Sequence, residues 1–196
     1  MSNASVNNGR RRFLTAATSV VGGVGVVGVA VPFIGSWNPS ARAKAAGAPV
    51  EINVGKIESG QLIRAEWRGK PIYVVRRSEQ MIADLAKNDD QLKDPNSEEP
   101  QQPEYAANAH RSIKPEFMVA LGVCTHLGCA PTYHKGDFEE KVEGTKNGFF
   151  CPCHGSKFDM AGRVFSGVPA GTNLQVPPYY YVNDNTILIG EDEGAA

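Results

Sequence analysis

The chain has 196 residues, 21 of them glycine and 13 proline, and a formal net charge of −1. That balance leaves no basic footprint for nucleic acid. Glycine and proline at this density, with few long helical patterns after the first fifty residues, point to a loop-rich β domain, and residues 50–196 suffice for one compact body with its own core.

The N-terminal segment comes first. Arg10-Arg11-Arg12-Phe13-Leu14-Thr15 matches the twin-arginine export pattern R-R-x-F-L, with Gly9 where Ser is more usual. That route carries folded proteins, which suits a cofactor inserted before export. No charged residue occurs from Phe13 to Ala41. Within this stretch, Ala16 to Gly35 is long enough, at ~1.5 Å per residue, to cross a ~30 Å hydrocarbon core. Gly22, Gly23, Gly25 and Gly28 make it only mildly apolar, a composition that membrane helices tolerate.

Three arginines precede the span and only Arg42 and Lys44 follow it closely, which favours a cytoplasmic N-terminus. Two readings compete: an uncleaved signal-anchor, or a signal peptide cut at Ala41-Arg42-Ala43 or Ala43-Lys44-Ala45. The span exceeds the usual ~7–15-residue apolar region of a signal peptide. Trp37 also stands where an interfacial aromatic anchors a helix. The expectation is a cytoplasmic segment over 1–12, a transmembrane anchor over 13–36 and an Ala-rich flexible hinge over 37–49.

The head opens with strand-like alternation, Val50, Ile52 and Val54 against Glu51 and Asn53. Leu62–Trp67 and Pro71–Val75 follow as short strands around Arg68-Gly69-Lys70. Ser78 is placed to cap a short helix in which Ile82 and Leu85 share a face. From Lys87 to Pro115 the chain turns polar and proline-rich and reads as a solvated surface excursion. Phe117 to Val123 is apolar. A hairpin through Gly144 to Gly148 leads to strands at Phe149-Phe150, near Tyr179 to Val182, and at Thr186 to Ile189.

Two boxes carry the chemistry: Cys124-Thr125-His126-Leu127-Gly128-Cys129 and Cys151-Pro152-Cys153-His154-Gly155-Ser156. They use all four cysteines and two of the four histidines. Two thiolates and two imidazoles can hold a [2Fe–2S] cluster with Cys on one iron and His on the other. The alternative is a structural zinc site on the same residues. However, the pairs here are mixed, C-x-H and C-x-x-H, and zinc would leave two cysteines without a role. His110 and His134, in polar company, read as exposed surface residues.

The boxes resemble the C-T-H-x-G-C and C-P-C-H-G-S motifs of the Rieske iron–sulfur subunit of cytochrome bc-type complexes. The resemblance runs from the N-terminal segment to the closing strands. It implies an all-β head, a Rieske-type β-sandwich with a small cluster-binding subdomain at about 121–172, behind one transmembrane helix. It further implies that Cys124 and Cys151 bind one iron and His126 and His154 the other. Cys129 and Cys153 would form a disulfide between the two loops, which export to an oxidising compartment permits. Buried free thiols are the other reading of that pair.

The same resemblance gives His154 the hydrogen bond to quinol in a cytochrome b pocket and makes His126 the second exposed ligand edge. Electrons would pass on to cytochrome c1, within a dimeric complex in the bacterial inner membrane whose heads lie in the periplasm. Ser156 matches a serine that hydrogen-bonds a bridging sulfide and raises the potential. Phe158 stands where many members carry a tyrosine that donates to a ligand sulfur, so a lower potential is expected. Leu127 resembles the apolar residue that shields the cluster. Gly167-Val168-Pro169-Ala170 resembles the third, proline-bearing loop, with Gly171 where a second proline is frequent and a softer loop expected. The Rieske small subunit of a periplasmic molybdenum oxidase of the arsenite-oxidase type is the alternative. A soluble Rieske ferredoxin fits less well, because it needs no anchor and usually lacks the second cysteine pair.

Overall fold

The computed structural model describes residues 7–192. The chain divides into two units between Ala45 and Ala46. In the first, α1 runs from Asn8 to Gly35, starting upstream of the predicted span so that the three arginines lie in its first turns. Asn7 caps it, the side chain accepting from the Arg10 amide at 3.1 Å, which satisfies one of the donors a helix start leaves free. Its 28 residues cover about 42 Å at ~1.5 Å per residue, and the helix is long and apolar enough to cross a membrane. The hydroxyls of Thr15 and Thr18 donate back to the carbonyls of Arg11 and Leu14 at 2.9 and 2.8 Å. Internal pairing of this kind is what a lipid environment demands of polar groups. The Ala-rich tether carries a short helix, α2 (Ala41–Ala46).

Among the described residues, the second unit holds three three-stranded antiparallel sheets. β1 (Val50–Asn53) pairs with β9 (Thr186–Ile189), which pairs with β8 (Tyr179–Asn183). β2 (Leu62–Trp67), β3 (Lys70–Arg76) and β4 (Phe117–Leu121) form the second sheet. β5 (Thr132–Lys135), β6 (Asn147–Phe150) and β7 (Lys157–Phe158) form the third. Arg68 and Gly69, both at positive φ (53° and 70°), close the β2–β3 hairpin as a two-residue turn opposite the Trp67–Lys70 pair, the geometry that matches strand twist.

β3 and β4 are apolar on both faces because the second sheet separates two cores. Ile72, Val74, Val119 and Leu121 pack with Ile52, Tyr179, Ile187 and Ile189 of the first sheet. Tyr73, Val75, Met118 and Ala120 point the other way, into a core with Phe149, Phe158, Met160 and Leu174. That second core also contains Cys124 and Cys151. The alternation along two strands therefore assigns every other residue to the site's floor.

Two local expectations change, and one strand carries no signal in the sequence. In α3 (Glu79–Asp84), Ser78 does cap the helix, accepting from the Met81 amide at 3.2 Å. Yet it is Met81, four residues before Leu85, that shares its buried face, while Ile82 is half-exposed; a one-residue rotation about the axis separates the two patterns. The polar stretch 87–115 is not a free loop: Leu92, Ala106 and Arg111 are buried, and 3-10 helix over Leu85–Gln91 and Glu104–Ala106 shapes it. Its apolar residues are too few to show periodicity, and several of its polar ones, among them Asn88, Gln102, Asn108 and Arg111, make internal hydrogen bonds. β5, reading Thr-Tyr-His-Lys, carries no apolar pattern; pairing with β6 and the inward Tyr133 ring against Phe149 hold it.

Candidate metal centre

The two boxes leave the ends of β4 and β6 and fold alike. In the first, the Gly128 amide donates to the Cys124 carbonyl at 3.0 Å and the Cys124 amide to the Cys129 carbonyl at 2.8 Å. In the second, Gly155 donates to Cys151 at 2.9 Å and Cys151 to Ser156 at 2.8 Å. Gly128 and Gly155 sit at φ +85° and +77°, a region where a side chain is strained, so glycine closes each turn. The match is one of backbone, not of side chains. His126 occupies the third place of its turn and His154 the fourth, facing Cys153 and Leu127 respectively in the equivalent positions.

These turns bring both boxes to one end of the domain. The rings of His126 and His154 stand edge to face with centroids 4.8 Å apart. Cys129 and Cys153 form a disulfide, with Cα atoms 6.6 Å apart, that ties one turn to the other. Cys124 and Cys151 are free and buried, 2% exposed each. Although Cys151 lies with the sulfurs of Cys129 and Cys153 within 4.8 Å of one another, the bonded pair has no thiolate to give. The donor set at this end is thus two free thiols and two imidazoles. Burial pushes the Cys124 thiol up from its ordinary pKa, opposed by the backbone around His126; a metal reverses that preference, because coordination deprotonates a thiol outright.

A third loop covers the turns. The Thr125 hydroxyl donates to the Thr172 carbonyl at 2.6 Å, and the Ala170 amide donates to Ser156 Oγ at 3.0 Å. Ser156 is fully buried, and its hydroxyl lowers the pKa of the Cys124 thiol against the upward push of burial. Phe158 is also fully buried, in the core with both free cysteines. At the rim, Leu127 is 72% exposed, and His154 and Pro169 are exposed while His126 is half-buried. The loop expected to be soft at Gly171 is therefore held on either side of that residue.

His110 and His134 are half-buried, not exposed. His134 Nδ1 lies 3.1 Å from Asp137 Oδ2, with its ring against Phe138 and Phe150. Neither joins the boxes, so the difference is one of packing. Residues that carry no motif complete the support. Asp159, fully buried just after the second box, accepts from the amides of Ala161 and Arg163 at 2.9 and 2.8 Å and from Arg163 Nε at 2.8 Å. A charged pair three and seven residues past the end of the second box gives no spacing signal by itself; burial alone reveals its work.

The chemistry of this donor set fits a [2Fe–2S] group with mixed ligation. The model described as "Rieske [2Fe-2S] domain" matches residues 49–178. The chain belongs to the Rieske iron–sulfur family. A second model, "Ubiquitinol-cytochrome C reductase Fe-S subunit TAT signal", matches residues 1–40. An Allochromatium vinosum protein named ubiquinol–cytochrome c reductase iron–sulfur subunit is 60% identical over 198 residues, covering 100% of this chain and 95% of that protein. Proteins of the same name from Bradyrhizobium diazoefficiens (43% over 182 residues, 92% of this chain and 94% of the relative) and Blastochloris viridis (44% over 185 residues, 92% of each) are also similar. The cofactor of this Rieske domain is a [2Fe–2S] cluster, and the twin-arginine segment and apolar helix fit a membrane-anchored protein.

Proposed function

We propose that this Rieske protein is the electron-transfer subunit of a quinol–cytochrome c oxidoreductase, inactive alone. In this reading Cys124 and Cys151 hold one iron and His126 and His154 the other, with Ser156, Phe158, Leu127 and Pro169 lining the cluster. The observation that carries it is the partition of donors: the disulfide takes Cys129 and Cys153, and what remains at the same end is two thiols in the core and two imidazoles toward solvent.

When bound, the cluster supplies one-electron redox chemistry at a raised potential, a general property of His-ligated centres and not a value deduced for this chain. The protein's part is to pair that electron with a proton. An imidazole bound to a metal through one nitrogen still has a second nitrogen, and charge at the metal decides how firmly it keeps a proton there. His154, exposed at the tip, offers that nitrogen to a quinol hydroxyl and takes up its proton. Leu127 and Pro169 present apolar surface around it, which keeps water from the hydrogen bond and suits docking against a partner protein.

The partners in this reading are cytochrome b, which completes the quinol site, and cytochrome c1, which takes the electron onward. α1 anchors the chain once in the bacterial inner membrane with its N-terminus in the cytoplasm and the head, from residue 50 on, in the periplasm. Residues 37–49 serve as the hinge between the two docking positions, in a dimeric complex. The test is purification of the tagged full chain from its own membranes in mild detergent. Co-purification of b- and c-type haem with quinol–cytochrome c reductase activity is expected. A molybdenum-containing partner without b-type haem would contradict it.

A further inference from the structure

Residues 92–94, in the stretch that reads as solvated in sequence, lie across the back of the third loop. Leu92 pairs with Phe165, and the Lys93 amide donates to the Val164 carbonyl at 3.0 Å. Asn173 stitches the other side: its Oδ1 accepts from the Val164 amide at 2.9 Å and its Nδ2 donates to the Asp94 carbonyl at 3.0 Å. With its backbone fixed in this way, Lys93 sends its ammonium to two carbonyls of the loop, Val168 at 2.9 Å and Ala170 at 2.6 Å. Bonds from a charged donor are roughly twice as strong as neutral ones.

Within the loop, Pro169 has no amide to donate and Gly171 has open space around the position of a side chain, so the buried Ala170 side chain, its amide and the Lys93 ammonium are what fix this backbone. The Ala170 amide is the group that meets Ser156 Oγ, at 3.0 Å. A serine hydroxyl has one proton and two acceptor sites. With one acceptor site filled by Ala170, the hydroxyl keeps its proton free for sulfur on the Cys124 side, where it opposes the upward push of burial on that thiol.

We propose that Lys93 is a positioning residue for the redox centre: by clamping Val168 and Ala170 it fixes the Ser156 hydroxyl as a donor to sulfur and so raises the potential. This rests on Cys124 being a cluster ligand. A donor to sulfur favours the more negative, reduced state, so loss of the clamp lowers the potential.

The test is an EPR-monitored redox titration of the full chain in detergent, as wild type, Lys93→Met, Lys93→Arg, Ser156→Ala and the Lys93→Met/Ser156→Ala double variant. Lys93→Met is expected to lower the midpoint, Lys93→Arg to keep most of it, and most of the Lys93→Met shift to vanish in the Ser156→Ala background. A Lys93→Met midpoint equal to wild type overturns the proposal. So does an equal shift in both backgrounds, which would make Lys93 a bare charge. Should Lys93→Met fail to retain its cluster, hydrogen exchange at the Ala170 amide decides: faster exchange than wild type supports the clamp, and unchanged protection overturns it. A wild-type protein with no [2Fe–2S] signal defeats the ligand assignment itself, whereas a normal wild-type signal with an unmoved variant defeats the clamp alone.

Discussion

Gly128 and Gly155 hold equivalent places in two turns with the same backbone hydrogen-bond pattern, each donating its amide to the carbonyl of the cysteine four residues earlier, at 3.0 and 2.9 Å. Both lie at positive φ with open space beside Cα, so an added methyl group meets strain in the backbone and no clash. Gly128→Ala and Gly155→Ala should each cost about 1–2 kcal/mol. Chemical denaturation of the full chain measures this, and cluster content per chain should fall in both variants.

Ser156 is enclosed, its hydroxyl accepting from the Ala170 amide and lowering the pKa of the Cys124 thiol. Ser156→Ala removes a donor to sulfur and should lower the midpoint potential while the cluster is retained. An unchanged midpoint would show that the hydroxyl serves packing alone.

Phe158 faces the core that contains both free cysteines. Phe158→Tyr places a hydroxyl there, and a buried hydroxyl without a partner costs about 1–3 kcal/mol. If sulfur accepts it, the variant should gain potential and lose little stability. A stability loss with no change in midpoint would mean the ring has no ligand sulfur within reach.

The Cys129–Cys153 disulfide closes a loop with a sequence separation of 24. Loop-closure entropy for that length is worth about 3 kcal/mol. Replacing both cysteines by serine should lower stability by about that amount, read as a shifted denaturation midpoint, and should speed cluster loss on dilution. Wild type treated with reductant should approach the same behaviour.

The Asp159–Arg163 pair is nearly solvent-free on both sides, at 0% and 1% side-chain exposure. Asp159→Asn leaves the guanidinium without its buried counter-charge, for a loss of about 3–5 kcal/mol. Thermal unfolding of the full chain checks this, and the loss should exceed that of Lys114→Met, whose partner Asp184 is almost fully exposed and whose ion pair is worth about 1 kcal/mol or less.

Most of the site was legible because its chemistry is local: two boxes hold every cysteine, and their spacing distinguishes them from a zinc finger. Strands with alternating or continuous apolar residues, such as β1 and β3, were equally plain. What escaped were elements whose support comes from elsewhere. β5 has no apolar stripe and is a strand because β6 pairs with it. Lys93 and Asp94 look like solvated charges until the third loop is folded against them. Met81 replaced Ile82 on the buried face because a two-turn helix gives the 3.6-residue period too few points to fix its phase.

The most direct test of the account is low-temperature EPR with a redox titration across pH on the detergent-purified full chain. A reduced-state [2Fe–2S] signal with average g below the free-electron value, and a midpoint that falls as pH rises, is predicted. The sign follows from the ring nitrogens, since the reduced, more negative centre keeps its proton and high pH removes that stabilisation. An EPR-silent protein carrying zinc, or a [2Fe–2S] signal whose midpoint ignores pH, would contradict imidazole ligation.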